Sequence, residues 1–142
     1  MVFKEGTVAV EMRSVIEEQG EKELIVNKHT ASYTKRDQIE VIRFTEDTEG
    51  FGKVNHMITI YPDKVNVNRS GSVKMNQKFL EGALSECLYR HPYGAFRIEY
   101  YTKSITRKRS DQTTEINIIY DSEMEEGHQR HHHLTLTYTE EK

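Results

Sequence analysis

Cysteine, proline and tryptophan are almost missing from this chain, and each shortage removes a class of explanation. A single cysteine, Cys87, rules out an internal disulfide framework and suits a reducing compartment, so a cytoplasmic location is expected. The only two prolines, Pro62 and Pro92, both stand in turn-like contexts and leave the rest of the chain free to form regular structure. No apolar run approaches the ~18 residues of a membrane helix. The first residues, MVFKEGTVAVEMRS, lack the apolar centre of a secretory signal, so no membrane association is expected. An excess of one charge is also missing. Twenty basic residues face 23 acidic ones, a net charge of −3, and so no global field favours nucleic acid or an anionic surface. There is no linker, internal repeat or low-complexity tract, and the 142 residues fit one domain.

What is present points to sheet. Hydrophobic residues make up 35%, charged residues 30%, and mean hydropathy is −0.77. A sheet with one dry and one wet face needs apolar residues only at alternate positions and gives such values. Disorder would give them too, but eight tyrosines, five phenylalanines and many β-branched residues are spread along the whole chain.

Alternation is clear from the start. Over residues 7–17, Val8, Val10, Met12 and Ile16 share one face while Glu11, Arg13 and Glu17 share the other. Glu18-Gln19-Gly20-Glu21 is a hairpin turn, and a second strand over residues 22–33 carries Ile25, Ala31 and Tyr33 on one face. In a third, over 38–45, the adjacent Val41 and Ile42 break the alternation and suggest a bulge. Residues 46–52 read as a polar loop, after which Val54, His56, Ile58 and Ile60 are in register. Pro62-Asp63-Lys64 turns the chain, Val65 and Val67 form a short strand, and Arg69-Ser70-Gly71 reads as a turn or bulge. Val73, Met75, Gln77 and Phe79 then alternate again.

Residues 78–90 fit two patterns. Phe79, Leu80, Ala83, Leu84, Cys87 and Leu88 recur at helical spacing, but Gly82 interrupts them, and Leu84, Glu86, Leu88 or Cys87, Tyr89 also fit period two. With strands and short turns on both sides, a hairpin turning at Glu81-Gly82 is the expectation. His91-Pro92-Tyr93-Gly94 turns the next strand, in which Phe96, Ile98, Tyr100 and Thr102 share a face up to a shift near Ile105. A charged turn over 107–112 follows, then strands with Ile116, Ile118, Tyr120 and with Leu134, Leu136, Tyr138, joined by a turn at Glu125-Glu126-Gly127-His128. About ten short strands with local connections argue for an all-β, antiparallel, up-and-down barrel, since closing is the simplest way to hide the edges of so long a meander.

The residues Val65, Arg69, Gly71, Val73, Met75, Gln77 and Phe79, then Tyr89, Pro92-Tyr93-Gly94-Ala95-Phe96 and Thr102, resemble the YwiB-like β-barrel family. Ile118-Ile119-Tyr120 and the run from Leu134 to Tyr138 fit it as well. The resemblance covers nearly the whole chain, is strongest over residues 58–102, and departs at His91, where the family more often carries a small hydroxyl residue. It implies a lipocalin- or calycin-like barrel of about 8–10 strands from Gram-positive bacteria, and it favours the hairpin over the helix. Its motifs are structural, and it brings no catalytic residues with it.

A lumen of that size holds either packed side chains or one small ligand. Polar residues in phase with the inward set are therefore the candidates for ligand binding: Arg69, Gln77, Tyr89, Tyr100 and Thr102. They would supply one cation, an amide and three hydroxyls among apolar walls, the usual composition of a small-molecule site. The plainer expectation is that these groups bond one another or the backbone, as buried polar groups must, with Arg69 clamping its turn.

Other chemistry finds less support. Of His131-His132-His133, only His131 and His133 share a strand face, and a third zinc ligand is not evident, so no metal is expected. Lys103, Arg107, Lys108 and Arg109 near Tyr100 and Tyr101 resemble a single-strand-binding groove, but Glu99, Asp111 and Glu115 dilute the charge, and no nucleic acid is expected. Cys87 has no histidine fixed beside it, no Ser sits in a Gly-x-Ser-x-Gly elbow, and Gly50-Phe51-Gly52 is no phosphate loop. The expectation is a non-enzymatic barrel without a cofactor that binds a small, partly apolar ligand. The alternative is a protein-interaction module, as a homodimer or with another partner, acting through its outer surface or an edge strand.

Overall fold

In the computed structural model, residues 3–48, 50, 52–124 and 127–141 are described, and over them the chain forms ten antiparallel strands. These are β1 (Phe3–Glu18), β2 (Glu21–Arg36), β3 (Ile39–Thr48), β4 (Gly52–Ile60), β5 (Lys64–Gly71), β6 (Met75–Leu80), β7 (Leu84–His91), β8 (Gly94–Ser110), β9 (Thr113–Met124) and β10 (His128–Glu140). They make one sheet in the order β6-β5-β4-β3-β2-β1-β10-β9-β8-β7. Each strand pairs with its neighbour in sequence except β6 with β7, and β1 also pairs with β10, from Val8 opposite Glu140 to Glu17 opposite His131. The result is the expected up-and-down barrel, nearly closed.

Period two decides which side chains fill it. Val8, Val10 and Met12 on β1, Val54, Ile58 and Ile60 on β4, and Leu134, Leu136 and Tyr138 on β10 are all buried, as alternation requires. A buried Val, Leu or Ile stabilises by about 1.5–3 kcal/mol, so these rows decide which face of each strand turns inward. Large fully buried side chains, among them Tyr33, Tyr138, Ile60 and Ile116, gather toward the end carrying the β2–β3, β4–β5 and β8–β9 turns. There the Tyr33 and Tyr138 hydroxyls both donate to Glu40, at 2.6 and 2.9 Å.

Several sequence expectations change in detail. Residues 78–90 hold no helix. The turn expected at Glu81-Gly82 is present, with Gly82 at φ +81°. Its arms, however, do not pair as a ladder, because β6 and β7 are the two ends of the sheet. The barrel closes there by one antiparallel bridge, Lys74 with Arg90, whose two backbone bonds are each 2.8 Å. At the other end of this seam Gly82 and Ala83 bond the backbone of Thr102.

The bulge expected at Val41–Ile42 is absent. The β2–β3 and β3–β4 registers run through it, with Ile42 buried and Val41 half-buried on the outer side. An outer face of a barrel tolerates an apolar residue, so two adjacent apolar residues need no extra residue between them. The register does shift between Thr102 and Ser104, close to the change of phase expected near Ile105. Glu46, Asp47 and Thr48, expected in a loop, continue β3. Glu49 and Phe51 of that loop, and Glu125-Glu126 of the β9–β10 turn, lie outside the described residues.

Candidate functional site

The barrel is hollow toward one end. A cavity of about 510 Å³ lies toward the end that carries the β1–β2, β5–β6 and β7–β8 turns. Its apolar walls include Met12, Ile16, Ile25, Val73, Met75, Phe96, Ile98 and Met124.

Of the five candidates from sequence, the cavity brings together three, Arg69, Gln77 and Tyr89. Arg69 reaches it because β5 stays extended through Gly71, so Arg69 keeps the phase of the buried Val65 and Val67. The expected turn begins only at Ser72, and Arg69 therefore faces the lumen instead of clamping a turn. Gly71 makes this path possible. Its φ is +99°, and a Cβ would stand 2.5 Å from the Lys53 carbonyl oxygen. Across the strands Arg69 lies opposite His56 on β4 and Met75 on β6, one layer above Ile58, Val67 and Gln77.

Tyr100 and Thr102 do not line the cavity. Both point inward from β8 but lie below its floor, in the packed half. The Tyr100 hydroxyl accepts the Lys78 backbone N–H at 2.6 Å, and its ring centroid lies 5.5 Å from that of Phe79. It thus caps one donor that the β6–β7 seam leaves without a strand partner. Thr102 is 0% exposed, and among the described residues its Oγ1 has no hydrogen-bond partner.

The structure adds groups outside the five candidates. His56, Glu46 and His29 meet on one wall: Glu46 lies 3.2 Å from His56 Nε2 and 3.8 Å from His29 Nε2, and both imidazoles stack on Phe44 with centroids 4.5 and 4.3 Å away. Burial, and then the nearby Arg69 guanidinium, lower the His56 pKa despite Glu46. A neutral ring that gives its Nε2 proton to Glu46 leaves Nδ1 as a buried acceptor, and Nδ1 has no partner among the described residues. On the opposite wall His132 lies flat on Tyr120, with centroids 4.3 Å apart, and shares a 2.7 Å hydrogen bond with Ser122. Burial and the Arg130 charge push its pKa down to about 4. Burial pushes the Tyr120 phenol up to about 12, although Arg69 and Gln77 act the other way. At neutral pH His56, His132 and Tyr120 therefore face the cavity uncharged, beside the Arg69 and Arg130 guanidinium groups.

Phase alone could have found two of these histidines. His56 sits between Val54 and Ile58, and His132 is two residues before Leu134. The adjacent His131 and His133 do share a face, the outer one, where they meet Asp121 at 2.5 Å and Asn117 at 2.9 Å. Among the described residues no cluster of three His, Cys, Asp or Glu side chains is placed to hold a metal ion.

The basic hairpin is engaged locally. Lys103 pairs with Asp121 at 3.0 Å, Arg107 donates to the Tyr61 carbonyl, and Arg109 donates to Thr114 at 3.0 Å and pairs with Glu140 at 3.6 Å. Cys87 is buried in the core, and that burial raises its thiol pKa.

The architecture and sequence are similar to those of a known barrel. The chain is 30% identical over 135 residues to the "Uncharacterized beta-barrel protein YwiB" of Bacillus subtilis, covering 95% of this chain and 94% of the relative. The crystal structure of the ywiB protein from Bacillus subtilis superposes with a TM-score of 0.86 at 30% identity, over 99% of this chain and 96% of that one. Residues 10–136 match the model of the "Domain of unknown function (DUF1934)", and the chain belongs to that family.

Proposed function

We propose that this protein is a non-enzymatic binding barrel that takes a small, partly apolar molecule into its lumen. The observation behind this reading is the cavity of about 510 Å³, a size typical of small-molecule sites, whose mostly apolar wall carries a few polar groups. A barrel stabilised by packing alone gains nothing from leaving its lumen half empty, because unfilled space forfeits contacts that the other half of the core makes.

The test is fluorescence titration with a neutral apolar dye, N-phenyl-1-naphthylamine. One saturable site is expected in the native protein. Ile16→Trp, which projects an indole into the cavity, should weaken it about tenfold without lowering the thermal midpoint. Absence of saturable binding, or binding indifferent to Ile16→Trp, would refute the lumen as the site.

A second reading rests on an edge. β2 pairs with β3 only from Ser32 to Arg36, so among the described residues 21–31 have a strand neighbour on one side alone. Leu24, Ile25 and Val26 on this stretch are 53%, 39% and 42% exposed. An unpaired, apolar strand edge is a template for another strand, including that of a second copy. Sedimentation at several concentrations, with Val26→Lys beside the native protein, tests it: a dimer abolished by Val26→Lys supports this reading, and a strict monomer refutes self-association.

A further inference from the structure

We infer that the lumen is built for an amphipathic anion, a small molecule with a carboxylate or phosphate head held by Arg69 and an apolar body lying along the walls toward the mouth. This inference rests on the lumen reading above and adds the charge of the occupant.

Arg69 faces the interior from β5, and its charge acts on His56 of β4, Cys87 of β7 and Tyr120 of β9. Its side chain is half-buried and lines the cavity, opposite His56 and Met75 on the neighbouring strands. The other charged groups of the cavity have protein partners. Arg130 pairs with Glu18 at 3.0 Å, and Glu46 is shared by His56 and His29. Among the described residues no carboxylate lies within ion-pair reach of Arg69.

The histidines nearby can relieve their burial by staying neutral. A guanidinium has no such escape, because it stays protonated at any pH at which proteins fold. A permanent cation on a largely apolar wall is unfavourable unless an anion accompanies it. Its planar fork of N–H donors matches the two oxygens of a carboxylate or phosphate. The Gln77 amide and the Tyr120 hydroxyl lie beside one another in the same region and offer neutral hydrogen bonds to such a head. From there Ile16, Phe96, Ile98 and Met124 form an apolar wall toward the mouth.

The experiment is displacement of N-phenyl-1-naphthylamine from the purified full chain by decanoate, decyl phosphate and decanol, at neutral pH and low salt. At least one anion is expected to displace the dye at about tenfold lower concentration than decanol. Arg69→Met should bring that anion to within about twofold of decanol while dye affinity is kept, and Arg43→Met, which removes an exposed outward cation, should change nothing. Which anion wins assigns the head as carboxylate or phosphate. If the dye binds but decanol competes as well as both anions, the charge inference is wrong and the lumen reading survives. If the dye does not bind, both fall. The native protein alone decides the charge of the occupant, and an anion preference kept by a folded Arg69→Met would overturn Arg69 as the group that holds the head.

Discussion

At the scale of single residues, two buried polar arrangements carry measurable consequences. Glu40 receives the hydroxyls of Tyr33 and Tyr138, and burial followed by Glu40 itself holds both phenols well above the ordinary tyrosine range. Removing the carboxylate leaves two part-buried hydroxyl donors without this partner. Glu40→Ala is expected to lower stability by about 1–3 kcal/mol, read from urea unfolding. Loss of under about 0.5 kcal/mol would show that the pair is not structural. His132 gives a pH dependence. An unfolded imidazole binds its proton near pH 6.5, whereas the folded one does so only near 4. Between those values the unfolded chain holds more protons, so stability falls as pH drops from about 6.5 to 4, by up to roughly 3 kcal/mol. Arg130 and His131 deepen this effect and Asp121 opposes it. His132→Phe should remove that part of the acid slope, measured as the difference between the two proteins' urea midpoints across the range. Both groups were legible in principle from phase: Glu40 precedes Ile42 by two and His132 precedes Leu134 by two. Their partners were not, because cross-strand neighbours depend on register between segments far apart in sequence.

At the scale of elements, the β4–β5–β6 segment sets the site. Arg69 enters the lumen only because β5 remains extended to a glycine that no other residue replaces without strain. Gly71→Ala combines a left-handed φ with a Cβ driven against the Lys53 carbonyl, and the Ser72 backbone N–H bonds that same oxygen at 3.1 Å. A loss of more than about 1 kcal/mol is expected, with weakened dye binding because Arg69 shifts with the turn. An Ala variant as stable as the native protein would show that the turn can be re-formed freely. The same segment explains a misreading. Arg-Ser-Gly looks like a turn in isolation, yet pairing of all three residues with β4, and of Arg69 with β6, keeps it extended until Ser72.

At the scale of the whole molecule, closure is unequal around the barrel. β1 is held along most of its length by β2 on one side and β10 on the other, whereas β6 and β7 meet through one bridge and a turn. Amide hydrogen exchange should therefore be fastest among the seam-facing amides of β6 and β7, with Lys78 slower because Tyr100 accepts its N–H, and slowest in β1, β9 and β10. Tyr100→Phe should release the Lys78 amide specifically, and uniform protection around the barrel would contradict an open seam. Alternation of apolar residues, turn chemistry at Gln19-Gly20, Pro62-Asp63 and Glu81-Gly82, and the absence of long apolar runs determined by themselves that this chain is an antiparallel β-meander and which face of most strands turns inward. Only the tertiary structure decided that β1 meets β10 while β6 and β7 stay nearly unpaired, that Tyr100 and Thr102 lie below the cavity floor while Arg69, Gln77 and Tyr89 reach it, and that histidines join them. Local periodicity fixes a side chain's direction within its own strand, whereas its height in the barrel and the groups it faces follow from the register of all ten strands together.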